Sequence, residues 1–271
     1  MNGLSLKSLN SALCREIEFK CKLKDRIPIV FLDYDGTLVP IITNPNDSYL
    51  SQETFDILSN LKKFCEIGII SGRDLNDVKP RINLDGITYM GNHGFEIIDS
   101  SNNSFKQNQW LNFVSLFNQI EFELNSSLKN IDNIQIERKK YSISIHYRQL
   151  NNFDISKLEV IIDQNVSNYS SLKKINGKKI FEIIPNVNWN KGKALIFLLN
   201  KLNLKSNNII PIYVGDDVTD ETVFLSIRDI GVGIVVGDDD RLTFAKYSLK
   251  CHNEVKLFLK NLISILKENN F

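Results

Sequence analysis

Short apolar runs alternate with amphipathic segments over most of the chain. The runs Ile29–Leu32, Ile67–Ile70 and Ile87–Met90 have the length and composition of buried strands. Between the first two, Ser51 precedes an apolar stripe that extends from Phe55 to Phe64, which predicts a capped helix. This alternation is typical of right-handed βαβ units, so the sequence predicts an α/β fold with a doubly wound, Rossmann-like parallel sheet.

The pattern changes in the middle of the chain. Two helical stripes and two segments of alternating apolar and polar residues occur there, at 110–128, 158–166, 134–138 and 142–148. In the second alternating segment the isoleucines face one way and the serines the other, which predicts a half-exposed sheet with one apolar face and one polar, solvated face. Asn176-Gly177 predicts a hairpin turn. We therefore expect residues 100–186 to form an inserted α+β domain, with two helices and a four-stranded, mostly antiparallel sheet.

The first pattern resumes after Pro185. Asn190 is placed to cap a helix, and strands are predicted around Ile212–Val214 and Gly231–Val236, followed by a terminal helix. Residues 27–99 and 187–271 are accordingly assigned to one core domain.

Residues 1–26 are assigned to an N-terminal extension. Leu6, Leu9, Leu13 and Ile17 recur at the spacing of one helix face, which predicts a short helix packed on the core.

Composition excludes several classes of function. The chain has 271 residues and a formal net charge of +1, so we expect neither general nucleic-acid binding nor binding to a membrane surface. No apolar run reaches ~18 residues, and the N-terminus lacks the apolar core of a signal peptide. The four cysteines show no C-x-x-C spacing, which favours reduced thiols and a cytoplasmic location.

Two carboxylates follow the first apolar strand directly. Asp33 and Asp35 lie on the same side of the chain, and Gly36 then permits a sharp turn. Like charges this close are costly unless they share a cation or a proton. The arrangement suits an enzyme in which one aspartate attacks phosphorus, the next moves a proton, and Mg²⁺ bridges. The alternative is a surface turn, since Asp-Gly is a common turn pair.

Polar loops also follow the other predicted strands, and ligands of such sheets bind beyond the carboxyl ends of the strands. Asp33, Asp35, Asp216, Asp217 and Asp220 would crowd one crevice there, and oxygen ligands of this kind suit Mg²⁺. The alternative for Asp216 and Asp217 is a helix cap followed by a first-turn acid.

Cationic and hydroxyl groups complete the predicted crevice. Lys191 lies in the first turn of a predicted helix, where the helix dipole disfavours a cation. It is therefore expected to balance the negative charges of the nucleophile and the phosphate. Thr37, Ser71 and Gly72, through hydroxyl and backbone N–H groups, are expected to hold phosphate oxygens. The chain has no Gly-x-x-x-x-Gly-Lys loop of the nucleotide-binding kind.

These pieces, in this order, resemble the four motifs of the haloacid dehalogenase (HAD) superfamily of phosphohydrolases. The motifs correspond to Asp33–Thr37, Ser71, Lys191 and Gly215–Asp217 with Asp220. The resemblance implies attack by Asp33 and proton transfer by Asp35. It also implies Mg²⁺ held by Asp33, the Asp35 carbonyl and Asp216. Asp217 belongs to the same implied metal site and, with Asp220, orients the lysine or a metal-bound water. The long insertion is similar to a C2-type cap, and Asp35 favours hydrolysis over the chemistry of a P-type pump.

Further segments look like the trehalose-6-phosphate phosphatase family. They are Asp35–Pro40, Ser71–Arg73, Gly91–Glu96, Glu137–Lys139 with His146–Arg148, and Glu182–Ala194. The resemblance implies Mg²⁺-dependent hydrolysis of trehalose 6-phosphate through an aspartyl phosphate, and coupling to a trehalose-6-phosphate synthase. It implies disaccharide contacts from Glu137, Lys139, Arg148, Lys178 and Glu182, with Arg73 and His93 near the seam between cap and core.

Two alternatives stay open at this stage. Each cap residue, taken alone, is also explained as a solvated charge on a strand. The first alternative is a HAD phosphatase for another glycosyl phosphate, such as sucrose, glucosylglycerol or mannosylglycerate phosphate. A non-catalytic sugar-phosphate sensor is a further alternative, although a sensor needs neither the nucleophile nor the acid/base.

Overall fold

The computed structural model describes residues 3–106, 112–150, 155–177, 179–202 and 208–269. These residues form two compact units. The first unit comprises the chain up to Phe105 and from Asn190 onward, and the second comprises Lys106–Trp189. Within the described ranges, no helix combines the length and apolar character that crossing a membrane requires.

The first unit contains ten strands and six α-helices among its described residues. Its strands are β1 (Leu4–Ser5), β2 (Ile27–Leu32), β3 (Glu66–Ile70), β4 (Thr88–Gly91), β5 (Glu96–Ile98) and β6 (Ser104–Lys106), which ends at the boundary. The second unit contributes β7 (Gln135–Arg138), β8 (Ile143–His146), β9 (Leu172–Gly177) and β10 (Ile180–Pro185). The first unit continues with β11 (Ile209–Gly215), β12 (Val232–Val236), β13 (Leu242–Thr243) and β14 (Tyr247–Leu249). The helices are α1 (Glu16–Leu23), α2 (Gln52–Leu61), α3 (Leu75–Ile82), α4 (Asn112–Leu128), α5 (Ile155–Ser167), α6 (Lys191–Lys201), α7 (Glu221–Ile227) and α8 (His252–Glu268). Of these, α4 and α5 belong to the second unit.

An eight-stranded sheet in the order β14-β12-β11-β2-β3-β4-β5-β6 forms the centre of the first unit. The strands from β14 to β4 are parallel, and β5 is antiparallel to β4. The chain leaves β2 towards β3 on one side and returns to β11 on the other, so the order reverses between β2 and β11. The predicted doubly wound parallel sheet is therefore confirmed, and a reversal of this kind is where ligands bind in such sheets.

Burial on both faces explains why β2 is apolar throughout. Val30 and Leu32 belong to the core shared with α2 and α8, while Phe31 on the opposite face is 1% exposed. The predicted cap of α2 is present, because Ser51 Oγ accepts a hydrogen bond from the Thr54 amide. The carboxyl end of β2 is thus packed between apolar side chains on both faces.

The second unit has a four-stranded antiparallel sheet in the order β7-β8-β10-β9. Ile143 and Ile145 are fully buried in a cluster that includes residues of α4 and α5. The hairpin turn lies later than expected, because Gly177 pairs with Ile180 and the strand continues through Asn176-Gly177. The opposite face also differs from the expected solvated face, since Ser142 is 2% and Ser144 is 0% exposed.

The prediction of one helical stripe in residues 1–26 is wrong. Ile17 is 80% exposed, and the buried residues of α1 are Phe19 and Leu23. Before α1 the chain forms two short 3-10 helices, Leu6–Ser8 and Ala12–Cys14. Between and before them it pairs with distant residues: Ser5 pairs with Leu242, and Ser11 bridges to Ser248. Pairing with distant strands overrides the local periodicity of the leucines.

Candidate active site

A buried ion cluster lies where β2 and β11 end. The Lys191 ammonium donates hydrogen bonds to Asp33 Oδ1 at 2.7 Å and to Asp220 Oδ1 at 2.8 Å. The Asp33 amide also donates to the Val214 carbonyl, which joins the two strand ends. Asn190 caps α6 by accepting from the Lys193 amide, and this fixes Lys191 as the first helical residue. The cation that the helix dipole disfavours is therefore held by two carboxylates.

Asp220 is held by more groups than the sequence indicated. Its Oδ2 accepts from the amides of Asp216 and Asp217, each at 2.9 Å, and its Oδ1 accepts from the Tyr213 hydroxyl at 2.5 Å. Sequence analysis missed Tyr213, whose only signal was a tyrosine inside an apolar strand beside an acidic loop. Asp220 thus shapes the whole 216–220 turn.

Burial and the pairing of opposite charges act against each other on the pKa values of the cluster. Burial raises the pKa of Asp33 well above its usual range, and Lys191 opposes that shift. Burial also opposes the charge of Lys191, but Asp220 and Asp33 outweigh it and raise the lysine pKa. The same ammonium holds the pKa of Asp220 below its usual value despite burial. The two carboxylates thus stabilise the charged form of Lys191.

The carboxylates of Asp33, Asp216 and Asp220 place oxygens within 4.8 Å of one another. All three side chains are buried, and the Thr37 hydroxyl lies 3.5 Å from Asp216 Oδ1. Gly36 has φ +90°, and a Cβ there would lie 2.2 Å from Asp216 Oδ2, so only glycine permits this approach. Three buried carboxylates face one ammonium, and hard oxygen donors with excess negative charge fit a divalent cation such as Mg²⁺.

Asp217, expected at the metal, occupies a different position. Its carboxylate accepts from the Val218 amide and caps the 3-10 helix Val218–Asp220. It is not one of the three clustered carboxylates described above, whereas Asp220 is.

Asp35 is held by Arg73. The guanidinium donates to Asp35 Oδ2 at 2.6 Å and to Oδ1 at 2.7 Å, and it also donates to Asp77 and to the Pro45 carbonyl. Arg73 is 6% exposed. The sequence placed Arg73 among the substrate contacts, but the structure commits it to the second aspartate of the first motif, in the planar geometry that arginine forms with carboxylates.

Ser71, Gly72 and His93 form one packed corner beyond β3 and β4. The His93 amide donates to the Ser71 carbonyl, and the Ser71 hydroxyl accepts from the Arg73 amide. A Cβ on Gly72 would lie 2.9 Å from the His93 ring. His93 itself has φ +56°, a left-handed conformation that a histidine adopts at some cost.

The candidate sugar-binding residues of the second unit share one face of its sheet. The strand register places Ser144 opposite both Glu137 and Glu182, so the two glutamates flank one serine in a single cross-strand row. Glu182 Oε1 lies 3.1 Å from the Ser142 hydroxyl and 3.3 Å from the Lys139 ammonium.

The remaining predicted residues of this unit are Arg148 and Lys178. Arg148 follows β8 and is exposed, and Lys178 lies outside the described residues. His146 Nε2 lies 2.8 Å from Glu137 Oε2.

Comparison with known proteins gives a consistent result. The trehalose-phosphatase family model matches residues 31–253. The chain is 34% identical over 264 residues to "Probable trehalose-phosphate phosphatase D" of Arabidopsis thaliana, covering 93% of this chain and 72% of that protein.

Solved structures agree with the sequence relatives. A trehalose-6-phosphate phosphatase related protein superposes with a TM-score of 0.75 at 28% identity, covering 89% of this chain and 99% of that one. A haloacid dehalogenase-like hydrolase from Bacteroides thetaiotaomicron superposes with a TM-score of 0.62 over 90% of this chain and 99% of its own, at 14% identity, and so supports the fold.

The central sheet, its carboxylate-rich strand ends and these relatives define a phosphatase with the HAD fold. It is a phosphoric monoester hydrolase. Within that class, the chain belongs to the trehalose-phosphatase family.

Proposed function

We propose that the protein hydrolyses trehalose 6-phosphate to trehalose and phosphate, with Mg²⁺ bound and through an aspartyl phosphate on Asp33. The observation that carries the proposal is the buried cluster in which Asp33 meets Lys191, Asp216 and Asp220. Family membership supports the choice of substrate.

The chemistry assigned to this chain has two steps. Asp33 attacks phosphorus, and Asp35 gives a proton to the leaving sugar oxygen. Asp35 then takes a proton from the water that hydrolyses the aspartyl phosphate. Lys191 stabilises the charge on Asp33 and on the transferred phosphoryl group, and Thr37, Ser71 and the Gly72 amide hold its oxygens.

Asp33, the Asp35 carbonyl and Asp216 would hold Mg²⁺, with Asp220 and Asp217 shaping the loop around them. When bound, the ion neutralises phosphate and carboxylate charge. The clustered, buried oxygens of Asp33 and Asp216 support this assignment.

We assign substrate selectivity to the second unit, acting as a cap. Glu137, Lys139, Arg148, Lys178 and Glu182 are its proposed sugar contacts, with His93 contributing from the core. The Glu137–Ser144–Glu182 row supports this role, because charged acceptors on a rigid sheet suit the hydroxyls of a disaccharide.

Glu182→Ala should lower kcat/KM for trehalose 6-phosphate by roughly 10- to 150-fold, because one charged hydrogen bond to a sugar is worth about 1.5–3 kcal/mol. The value for p-nitrophenyl phosphate should stay near wild type, since that substrate lacks the sugar. Glu159→Ala serves as the matched control, because Glu159 pairs with Lys174 within the same unit. An equal loss for both substrates would show that Glu182 is structural.

Arg73→Ala should instead lower kcat/KM both for trehalose 6-phosphate and for a small alkyl phosphate without a sugar, each by at least about tenfold. Both substrates have a poor leaving group that needs the proton of Asp35, and Asp35 loses the guanidinium that orients it. Arg73→Lys should recover only part of the activity, because lysine cannot form the paired contact. Steady-state kinetics with the two substrates measures this. If kcat/KM fell only for the disaccharide phosphate, Arg73 would be a sugar contact, as the sequence predicted.

A further inference from the structure

The segment Arg241–Phe244 contacts the 216–221 loop at two points. Arg241 Nη2 donates to the Asp216 backbone carbonyl at 2.5 Å. The Phe244 amide donates to Glu221 Oε2 at 2.8 Å. One contact fixes the main chain of a residue whose side chain belongs to the carboxylate cluster, and the other fixes the residue that follows Asp220.

Both side chains are set into the protein without full hydrogen bonding. Arg241 Nε and Glu221 Oε1 are buried and make no hydrogen bond to the described residues. The Arg241 side chain is 15% exposed, and its Nε lies 3.6 Å from Asp239 Oδ2. A buried polar atom without a hydrogen bond lowers the stability of the fold. Keeping two such atoms here is consistent with a functional role for the two residues.

The N-terminal segment backs the Arg241–Phe244 segment from the other side. The Leu6 amide donates to the Arg241 carbonyl at 2.9 Å, and β1 pairs with β13 in the register Leu4 with Thr243. Arg241 is thus held through its main chain by the N-terminus while its side chain holds the Asp216 loop. Residues 4–6 therefore contribute indirectly to the position of the Asp216 loop.

We propose that Arg241 and Glu221 are positioning residues for the metal site, which hold the 216–221 loop so that the Asp216 carboxylate stays aimed at the bound cation. The inference rests on the Mg²⁺ site of the proposed function. Groups that orient a metal ligand without touching the metal typically contribute about 10- to 100-fold in metal affinity.

Calorimetric titration of the full chain with Mg²⁺, without substrate, tests the proposal. Arg241→Ala and Glu221→Ala should each raise the Kd for Mg²⁺ by about tenfold or more. Arg241→Lys and Glu221→Gln should restore part of the affinity, because each keeps one donor or acceptor for its partner. Lys246→Ala is the control: Lys246 is a cation nearby in sequence that contacts Glu18 rather than the loop.

Thermal unfolding of each variant without Mg²⁺ separates this role from a purely structural one. A lowered Tm with an unchanged Kd in the folded variants would overturn the proposal. If Arg241→Ala does not fold, Glu221→Ala decides in the same way. A wild-type chain that binds no Mg²⁺ would overturn the proposed metal site and this inference with it, whereas wild-type binding with unaltered variants would overturn the inference alone.

Discussion

Replacing Asp33 by asparagine should abolish phosphate release and leave the protein folded. An amide cannot form the aspartyl phosphate, so kcat should fall by more than about 10⁴-fold. The fold should survive, because asparagine has nearly the same shape and Lys191 retains Asp220 as its partner. Steady-state phosphate release and far-UV circular dichroism measure the two halves of the prediction.

Asp240→Asn is the matched control for this substitution, because Asp240 is an exposed aspartate that pairs with Lys7. It should retain wild-type activity. A folded Asp33→Asn protein that releases phosphate at a near wild-type rate would remove Asp33 from the role of nucleophile.

Lys191→Met should destabilise the first unit by about 3–5 kcal/mol and also abolish activity. Methionine fills a similar volume, but it leaves the buried carboxylates of Asp33 and Asp220 without the ammonium that neutralises them. Urea unfolding monitored by far-UV circular dichroism gives the free energy of unfolding.

Lys201→Met in the same helix provides the comparison, because Lys201 is exposed at the end of α6. Its free energy of unfolding should change by no more than about 1 kcal/mol. A Lys191→Met protein of wild-type stability would show that the three groups do not form a mutually charged cluster.

The strands of the core and the residues at their ends were predictable because burial on both faces forces continuous apolar runs. The run Ile29–Leu32 ends where Asp33 begins, so the strand and the adjoining acid were visible together. The predicted cap of α6 at Asn190 is present for a similar reason, since its signal is local. Strand pairing with distant residues, as in Ser5 with Leu242, leaves no such signal in residues 1–26.

The residues of the site were predictable from the sequence, whereas their hydrogen-bond partners were less so. Asp33, Lys191, Asp216 and Asp220 lie together as the motif spacing indicated. The partner of Arg73 was not predictable, because a cation at a strand end suits a carboxylate of the protein as well as an oxygen of a sugar. Tyr213 was hidden for a different reason, since a tyrosine in an apolar strand is expected to be core.

Ser142 and Ser144 show the limit of reasoning from alternation alone. Small hydroxyl side chains on the polar face were expected to be solvated, but Glu182 accepts hydrogen bonds from both. The sequence indicated which face was polar, and only the strand register revealed that a row of polar groups lies across it.

Phosphate release by the purified chain from a panel of sugar phosphates tests the central claim most directly. The panel contains trehalose 6-phosphate and the phosphates of sucrose, glucosylglycerol and mannosylglycerate, each assayed with Mg²⁺ and after exhaustive chelation. We expect trehalose 6-phosphate to have the highest kcat/KM, and chelation to remove activity until Mg²⁺ is restored. A higher kcat/KM for another member of the panel, full activity after chelation, or binding of trehalose 6-phosphate without hydrolysis would contradict the account.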